Sequence, residues 1–251
     1  ILVAGRYAAE PLIERVIAGE PKTLSTEVLL AIAIVGASFI GAALIGAVRL
    51  STRRAGGAFS LVALITATSS ALLVAWFWAA VPRPLLWQRD WIDVAAIGVG
   101  FYLDDLSLLF AILVVGVSLL SLSYSLHYIP HEIREQGISS GEAAYYGYML
   151  LFTGSMLGMV FAGDLIQLYV FWELTGLASF LLIGLHWRDP QARSGAVKAL
   201  LITALGGLAM LVGFILLGLT AGTFSLPAVL EQGESLRASP VFGIILFMLI
   251  I

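Results

Sequence analysis

Apolar residues run along this chain in blocks longer than a soluble helix needs. A ~30 Å hydrocarbon core takes roughly 20 apolar residues in a helix. Residues 28–48 meet that length without a charge, with Gly36, Gly41 and Gly46 as small packing positions, and Arg49, Arg53 and Arg54 close the run. Residues 55–82 form a second span, stopped at Pro82 and Pro84. Residues 106–128 form a third, ended by Pro130. Residues 143–161 and 165–187 are a fourth and fifth span, separated only by Ala162, Gly163 and Asp164. So short a link requires an antiparallel helix pair. Residues 196–221 make a sixth span rich in glycine, and Pro240 opens a seventh that is cut off at Ile251. Between 83 and 105 the pattern alternates, carries charge and reads as an interfacial loop with a small hairpin. Segments 131–142, 188–195 and 230–239 read as polar loops. The chain thus divides into an interfacial or extramembrane head (1–25), two spans with their outer loop (26–100), a core (101–225), and a loop with a truncated helix (226–251). No internal repeat of 20–50 residues is visible.

Composition agrees. Of 251 residues, 60% are hydrophobic and 12% charged, against about 25% charged in a soluble domain. Mean hydropathy is +1.01. The expected fold is an all-α polytopic membrane protein with about six complete transmembrane helices and a truncated seventh. A net charge of −3 and no basic run beyond Arg53-Arg54 give no case for nucleic acid. The absence of cysteine excludes a disulfide, a thiolate-bound iron–sulfur cluster and a cysteine zinc site within this chain. His127 and His131 stand four apart, but Pro130 between them is expected to break the helix that a metal pair needs; with His186 they read as interfacial residues. No organic cofactor is implied. The chain opens on Ile1 and ends within "FGIILFMLII", too short to span, and so reads as a piece of a longer protein. No signal-peptide pattern is visible at its start.

Loop charge suggests an orientation. Loops 49–54, 131–142 and 188–198 hold Arg49, Arg53, Arg54, Arg134, Arg188, Arg193 and Lys198. Loops 83–105 and 222–239 hold Arg83, Arg89 and Arg237 beside six acids. The positive-inside rule makes the first side cytoplasmic. Arg6, Arg15 and Lys22 of the head would then lie outside, against the rule.

Two charges stand where the bilayer makes them costly. Glu173 is nine residues from Asp164, about 13–14 Å into the fifth span at 1.5 Å per residue. A carboxylate there costs about 2.5–3.5 kcal/mol or more on the insertion scale. Burial favours its protonated form and a nearby cation its ionised form, so it is a candidate proton carrier; the alternative is a structural carboxylate bonded to a neighbouring helix. Lys198 heads the sixth span in a chain with eleven arginines and two lysines. A buried lysine can deprotonate where arginine cannot. The alternative is a side chain within a turn of the helix start that snorkels to headgroups. Asp164 opens the fifth helix and reads as its cap, and Asp104 and Asp105 stand where they would cap the third. Thr175 is placed to bond backbone. No Walker, Rossmann or nucleophile-elbow motif is present.

Three stretches together carry a resemblance: "FYLDDLSLLFAILVVGVSLLSLSYSLHYI" (101–129), "FAGDLIQLYVFWELTGLASFLLIG" (161–184) and "GAVKALLITALGGLAMLVGFILL" (195–217). They resemble the proton-pumping core of antiporter-like membrane subunits, the family of the large A-type subunit of multisubunit Mrp cation/proton antiporters, the distal subunits of respiratory complex I and related hydrogenase subunits. "FWELTGLASFLLIG" followed by "KALLITALGGLAML" is most similar to the A-type subunit. The resemblance covers residues 101–225; residues 26–100 share only hydropathy. It implies a fold of inverted five-helix repeats, each with a proton half-channel, in which Glu173 is the key glutamate, Lys198 a lysine at the head of the next helix, and Asp104 or Asp105 the acid of an "LD-x-LS" segment. A lysine beyond Ile251 would be the principal partner of the glutamate. The implied function is cation/proton antiport with Na⁺ or K⁺ through a Glu–Lys relay, in a hetero-oligomeric complex of a bacterial plasma membrane. The alternative is a proton-pumping subunit of complex I or a membrane-bound hydrogenase.

Overall fold

In hydrocarbon every backbone N–H and C=O must be satisfied within its own segment, so long uncharged runs become helices. The computed structural model describes residues 25–51, 56–92, 97–136 and 141–251. The head (1–24), the positions of Arg53 and Arg54, residues 93–96, and residues 137–140 of the predicted loop 131–142 lie outside the described residues. Helix α1 is Thr26–Ser51, with Glu27 in its first turn and Arg49 in its last, both matched to the helix dipole. Helix α2 is Gly56–Ala80 and ends just before Pro82. Strands β1 (Leu85–Ile92) and β2 (Ile97–Leu103) pair antiparallel, Leu85 opposite Leu103 and Trp87 opposite Phe101. The outer segment is therefore the hairpin that its alternation predicts.

Helix α3 is Asp105–Gln136. Asp104 caps it reciprocally: its Oδ1 accepts from Ser107 N–H at 2.7 Å, and its own N–H donates to Ser107 Oγ at 2.7 Å. Asp105 instead pairs with Arg83 of the hairpin arm, Nε to Oδ1 at 2.8 Å. The helix runs through Pro130 rather than stopping there. Proline removes one backbone donor, and near the end of a span the freed carbonyl finds other partners, so the helix continues. The expected break between His127 and His131 is thus absent, and residues 131–136 and 141–142 of the predicted loop 131–142 are helical. Among the described residues, no three His, Asp or Glu side chains gather as a metal site.

Helix α4 (Gly141–Val160) packs against α1, α2, α3 and α5. It carries Tyr145, Tyr146, Thr153 and Ser155, whose polar atoms turn inward. Tyr146 donates to Ser125 O at 3.1 Å, and Thr153 donates to Ser118 Oγ at 2.9 Å. Five of the described helices are long and apolar enough to cross a membrane: α1, α2, α3, α5 and α6. The α4 helix, the fourth predicted span, is the exception because neighbouring helices cover it and permit its polar face.

Helix α5 is Leu165–Ile183, continued by a 3-10 turn at Gly184–His186. Helix α6 is Pro190–Ala221. Its start corrects the predicted loop 188–195. Asp189 is the N-cap, accepting from Gln191 N–H at 2.9 Å, and Pro190 occupies the first helical position, where no donor is needed. Gly222, at φ 72°, ends the helix. Two short helices, α7 (Leu226–Glu231) and α8 (Gly233–Arg237), occupy most of the predicted loop 230–239. Helix α9 (Phe242–Ile250) returns along α6.

One end of the bundle gathers the hairpin, the α4–α5 link and the 222–226 turn through backbone hydrogen bonds. The opposite, basic end holds Arg49, Arg188 and Arg193, and there His186 Nε2 lies 3.5 Å from Glu132 Oε1.

Candidate functional site

The two helices that carry Glu173 and Lys198 are adjacent and antiparallel, and their glycines fix the register. Glu173 lies against Gly207: a Cβ there would collide with Glu173 Oε1. A Cβ on Gly176 would sit 3.8 Å from Thr203 Oγ1, and one on Gly184 would sit 3.5 Å from Ala196 Cβ. Glu173 is thus level with Gly207, Gly176 with Thr203, and Gly184 with Ala196. Glycine at 207 leaves the hollow that the carboxylate occupies.

The carboxylate opens into a cleft of about 400 Å³ between α5 and α6. Its walls include Tyr169, Trp172 and Gly176 of α5 with Leu200, Thr203 and Ala204 of α6. Tyr169, one turn before Glu173 on the same helix, lines the cleft beside the carboxylate. Thr203 spends its hydroxyl hydrogen on Ala199 O at 2.9 Å, which leaves the oxygen's lone pairs toward the cleft side of the helix. No cation pairs with Glu173 among the described residues. A half-buried carboxylate, one phenol, one threonine hydroxyl and largely apolar side chains line the cleft.

Lys198 does not reach this carboxylate. It stands nine residues before Gly207, about 13 Å along α6. It also lies more than two turns inside α6, because the helix begins at Pro190. The expectation that it sits within a turn of the helix start is therefore corrected. The register sets it near Leu182, towards the basic end, with its side chain exposed on this chain. The cleft walls Thr203 and Leu200 fill the interval between the two charges.

Asp164 is fully buried at the other end of α5. Its Oδ1 accepts from Ile166 N–H at 2.8 Å and Gln167 N–H at 3.4 Å, and its Oδ2 accepts from Gly98 N–H of β2 at 3.0 Å. Burial holds its carboxyl above the usual carboxylate range, against the opposing pull of these three donors. Capping is its role, and the third bond ties the hairpin to α5. Gln167 repeats the tie, accepting from Gly100 N–H at 2.8 Å. Thr175 donates to Phe171 O at 2.9 Å, as its position suggests, and takes no part in the cleft lining. Asp104 and Asp105 sit at the hairpin end, with the roles given above.

Tyr169 and Gly207 do not stand out in the sequence. Tyr169 is recoverable from its i−4 spacing to Glu173. Gly207 is one glycine among several in its helix, and only the packing singles it out.

Comparison with known proteins fits this geometry. The family described as NADH:quinone oxidoreductase/Mrp antiporter, TM matches residues 162–251, and the complex I chain 5 N-terminus family matches residues 91–137. Together they account for more than half of the chain. The A-type Na(+)/H(+) antiporter subunit of Alkalihalophilus pseudofirmus is 41% identical over 61% of this chain and 18% of that protein. The probable K(+)/H(+) antiporter A/B-type subunit of Rhizobium meliloti is 37% identical over 66% of this chain and 16% of that protein. The chain therefore spans less than a fifth of the length of these curated relatives. Among solved structures, the Mrp complex from a Dietzia species matches 89% of this chain and 23% of the matched one, at 31% identity and a TM-score of 0.70. An archaeal membrane-bound sulfane sulfur reductase shares the fold alone, at 18% identity, with a TM-score of 0.71 over 87% of this chain and 43% of that one. The matched stretches contain both the acid-capped third helix and the whole α5–α6 cleft, and the chain belongs to the antiporter-like family of integral, multi-pass membrane proteins that includes the Mrp A-type subunits.

Proposed function

We propose that this chain is part of one membrane subunit of a multisubunit monovalent cation/proton antiporter, and that Glu173 is the group that carries the proton through it. The observation behind the reading is the seat of Glu173: a carboxylate near mid-bilayer, placed against a glycine and opening into a cleft that a salt bridge among the described residues does not close. Its relatives of 37% and 41% identity are named as subunits of K⁺/H⁺ and Na⁺/H⁺ antiporters, which supports cation exchange.

The carboxylate accepts a proton from one side of the cleft and is then neutral, which removes the cost of a charge in hydrocarbon. Release requires a route and a compensating charge. Lys198 lies about 13 Å away towards the basic end, beyond direct transfer. Water in the cleft between Glu173 and Lys198, passing Thr203, would join them, so the pair works as a relay and not as an ion pair. Lysine suits this position because it can give up its proton. The basic end faces the cytoplasm of a bacterial plasma membrane, and other membrane subunits complete the assembly.

Everted vesicles containing the intact complex test this. A respiratory donor sets an inside-acid gradient reported by a ΔpH dye, and Na⁺ or K⁺ is then added. Cation-dependent recovery of fluorescence is expected. A complex that shows no cation response, yet whose loss lowers gradient formation by the donor, would place the chain in a redox-driven pump instead.

A further inference from the structure

At the basic end a second cleft of about 310 Å³ lies between α1, α4 and α5. Its polar members are Arg49, Tyr148 and Trp187, and its apolar wall includes Phe180, Leu181 and Leu185. Its floor is formed in part by Gly141 and Ala144, in the first turn of α4. No carboxylate pairs with Arg49 among the described residues. Phe180 and Trp187 meet edge to face in that wall, with centroids 5.9 Å apart.

We propose that this cleft binds the headgroup of an anionic glycerophospholipid, with the phosphate on Arg49 and the glycerol and upper acyl chains along the aromatic and leucine wall. Two features point the same way. An arginine fork matches two phosphate oxygens. The wall is apolar and outward facing, with Trp187 and nearby Leu50 exposed, as expected of residues at headgroup depth. A free phosphate would use the arginine and leave the wall wet. A lipid uses both. Basic pockets between membrane helices on the cytoplasmic side take anionic headgroups for these reasons. The site sits at the far end of α5 from Asp164, so its occupant clamps α5 to α1 and α4 without entering the Glu173 cleft.

The test uses the intact complex, stripped of lipid in detergent, with its thermal unfolding midpoint read against added lipid. Phosphatidylglycerol should raise the midpoint, and phosphatidylcholine of the same chains should raise it far less. Arg49→Gln should need roughly fivefold more phosphatidylglycerol for the same shift, the worth of one cation at the membrane surface. Arg188→Gln, on the same face but outside the cleft, should shift the response less than Arg49→Gln, and an equal shift would mean surface charge alone and overturn the site. Arg49→Lys keeps the charge and loses the fork, so it should fall between wild type and Arg49→Gln. If Arg49→Gln does not assemble, Arg49→Lys decides: a response equal to wild type overturns the site. Equal stabilisation by phosphatidylcholine would mean that the wall alone is being filled. Equal stabilisation by inorganic phosphate would mean an ion site that no lipid requires. Either result overturns the proposal.

Discussion

Replacing Gly207 with alanine tests whether the position of the Glu173 carboxylate matters, as distinct from its presence. A Cβ at 207 would overlap Glu173 Oε1 well inside van der Waals contact. Ordinary contact requires Oε1 to withdraw by about 1 Å or more, and the glutamate side chain can do so by leaving its rotamer at about 0.5–1.5 kcal/mol. Alanine in a helix returns up to about 1 kcal/mol relative to glycine. The net change in stability is therefore within about 1 kcal/mol, and the complex should assemble. The carboxylate, however, is pushed off the α6 face and away from the side of the cleft that leads to Lys198. Displacements of about 1 Å in a positioned group can cost around 100-fold in rate, and cation-dependent recovery of ΔpH in everted vesicles should fall by at least tenfold. Gly195→Ala is the control: it lies on the same helix, and its added methyl would meet nothing within 4 Å. Full antiport in Gly207→Ala at normal membrane abundance would refute the reasoning. Loss of the protein from the membrane in Gly207→Ala alone would show that the glycine serves helix packing and not the carboxylate.

Other consequences are open to measurement. Lys198→Arg keeps the charge but cannot release its proton, so antiport should be lost with assembly intact; unchanged antiport would assign Lys198 to headgroup snorkelling. Tyr169→Phe removes the phenol beside Glu173 and should lower the antiport rate several-fold without changing abundance. Asp164→Ala strips three backbone N–H groups of their acceptor and should cost about 2–4 kcal/mol, from a lost cap and a buried unpaired donor, read as a lower unfolding midpoint in detergent. Because the folded-state pKa of Asp164 lies above its ordinary 3.8, the folded chain binds this proton more tightly than the unfolded chain. Its contribution is fully present below pH 3.8 and declines as pH rises through the raised value, and the Asp164→Ala protein should lack that acid-side dependence.

Hydropathy alone locates the helices well, because an uncharged 20-residue run has few other fates in a bilayer. It errs where a local signal is overruled or hidden. Pro130 has the look of a stop, but one missing donor near a helix end does not terminate a span. The loop at 188–195 hides an Asp-Pro start that caps and seeds α6, which moves Lys198 two turns into its helix. The short helices α7 and α8 pass for loop because each is too brief to show a period. At the candidate site, Glu173 stands out through the cost of a lone carboxylate in hydrocarbon. Its seat does not, because the pairing of 173 with 207 depends on the register of two antiparallel helices, and no local pattern encodes that register. Asp164 is legible as a cap but not as the anchor of Gly98, a contact across sixty-six positions of sequence.

The most direct test of the central claim is antiport by Glu173→Gln beside Glu173→Asp, in the same everted vesicles and matched for assembled complex. Glutamine keeps the size and removes the titrating proton; aspartate keeps the proton and draws it back towards α5. If Glu173 carries the proton, glutamine should abolish cation-dependent recovery and aspartate should allow part of it. Full recovery with glutamine would contradict that role.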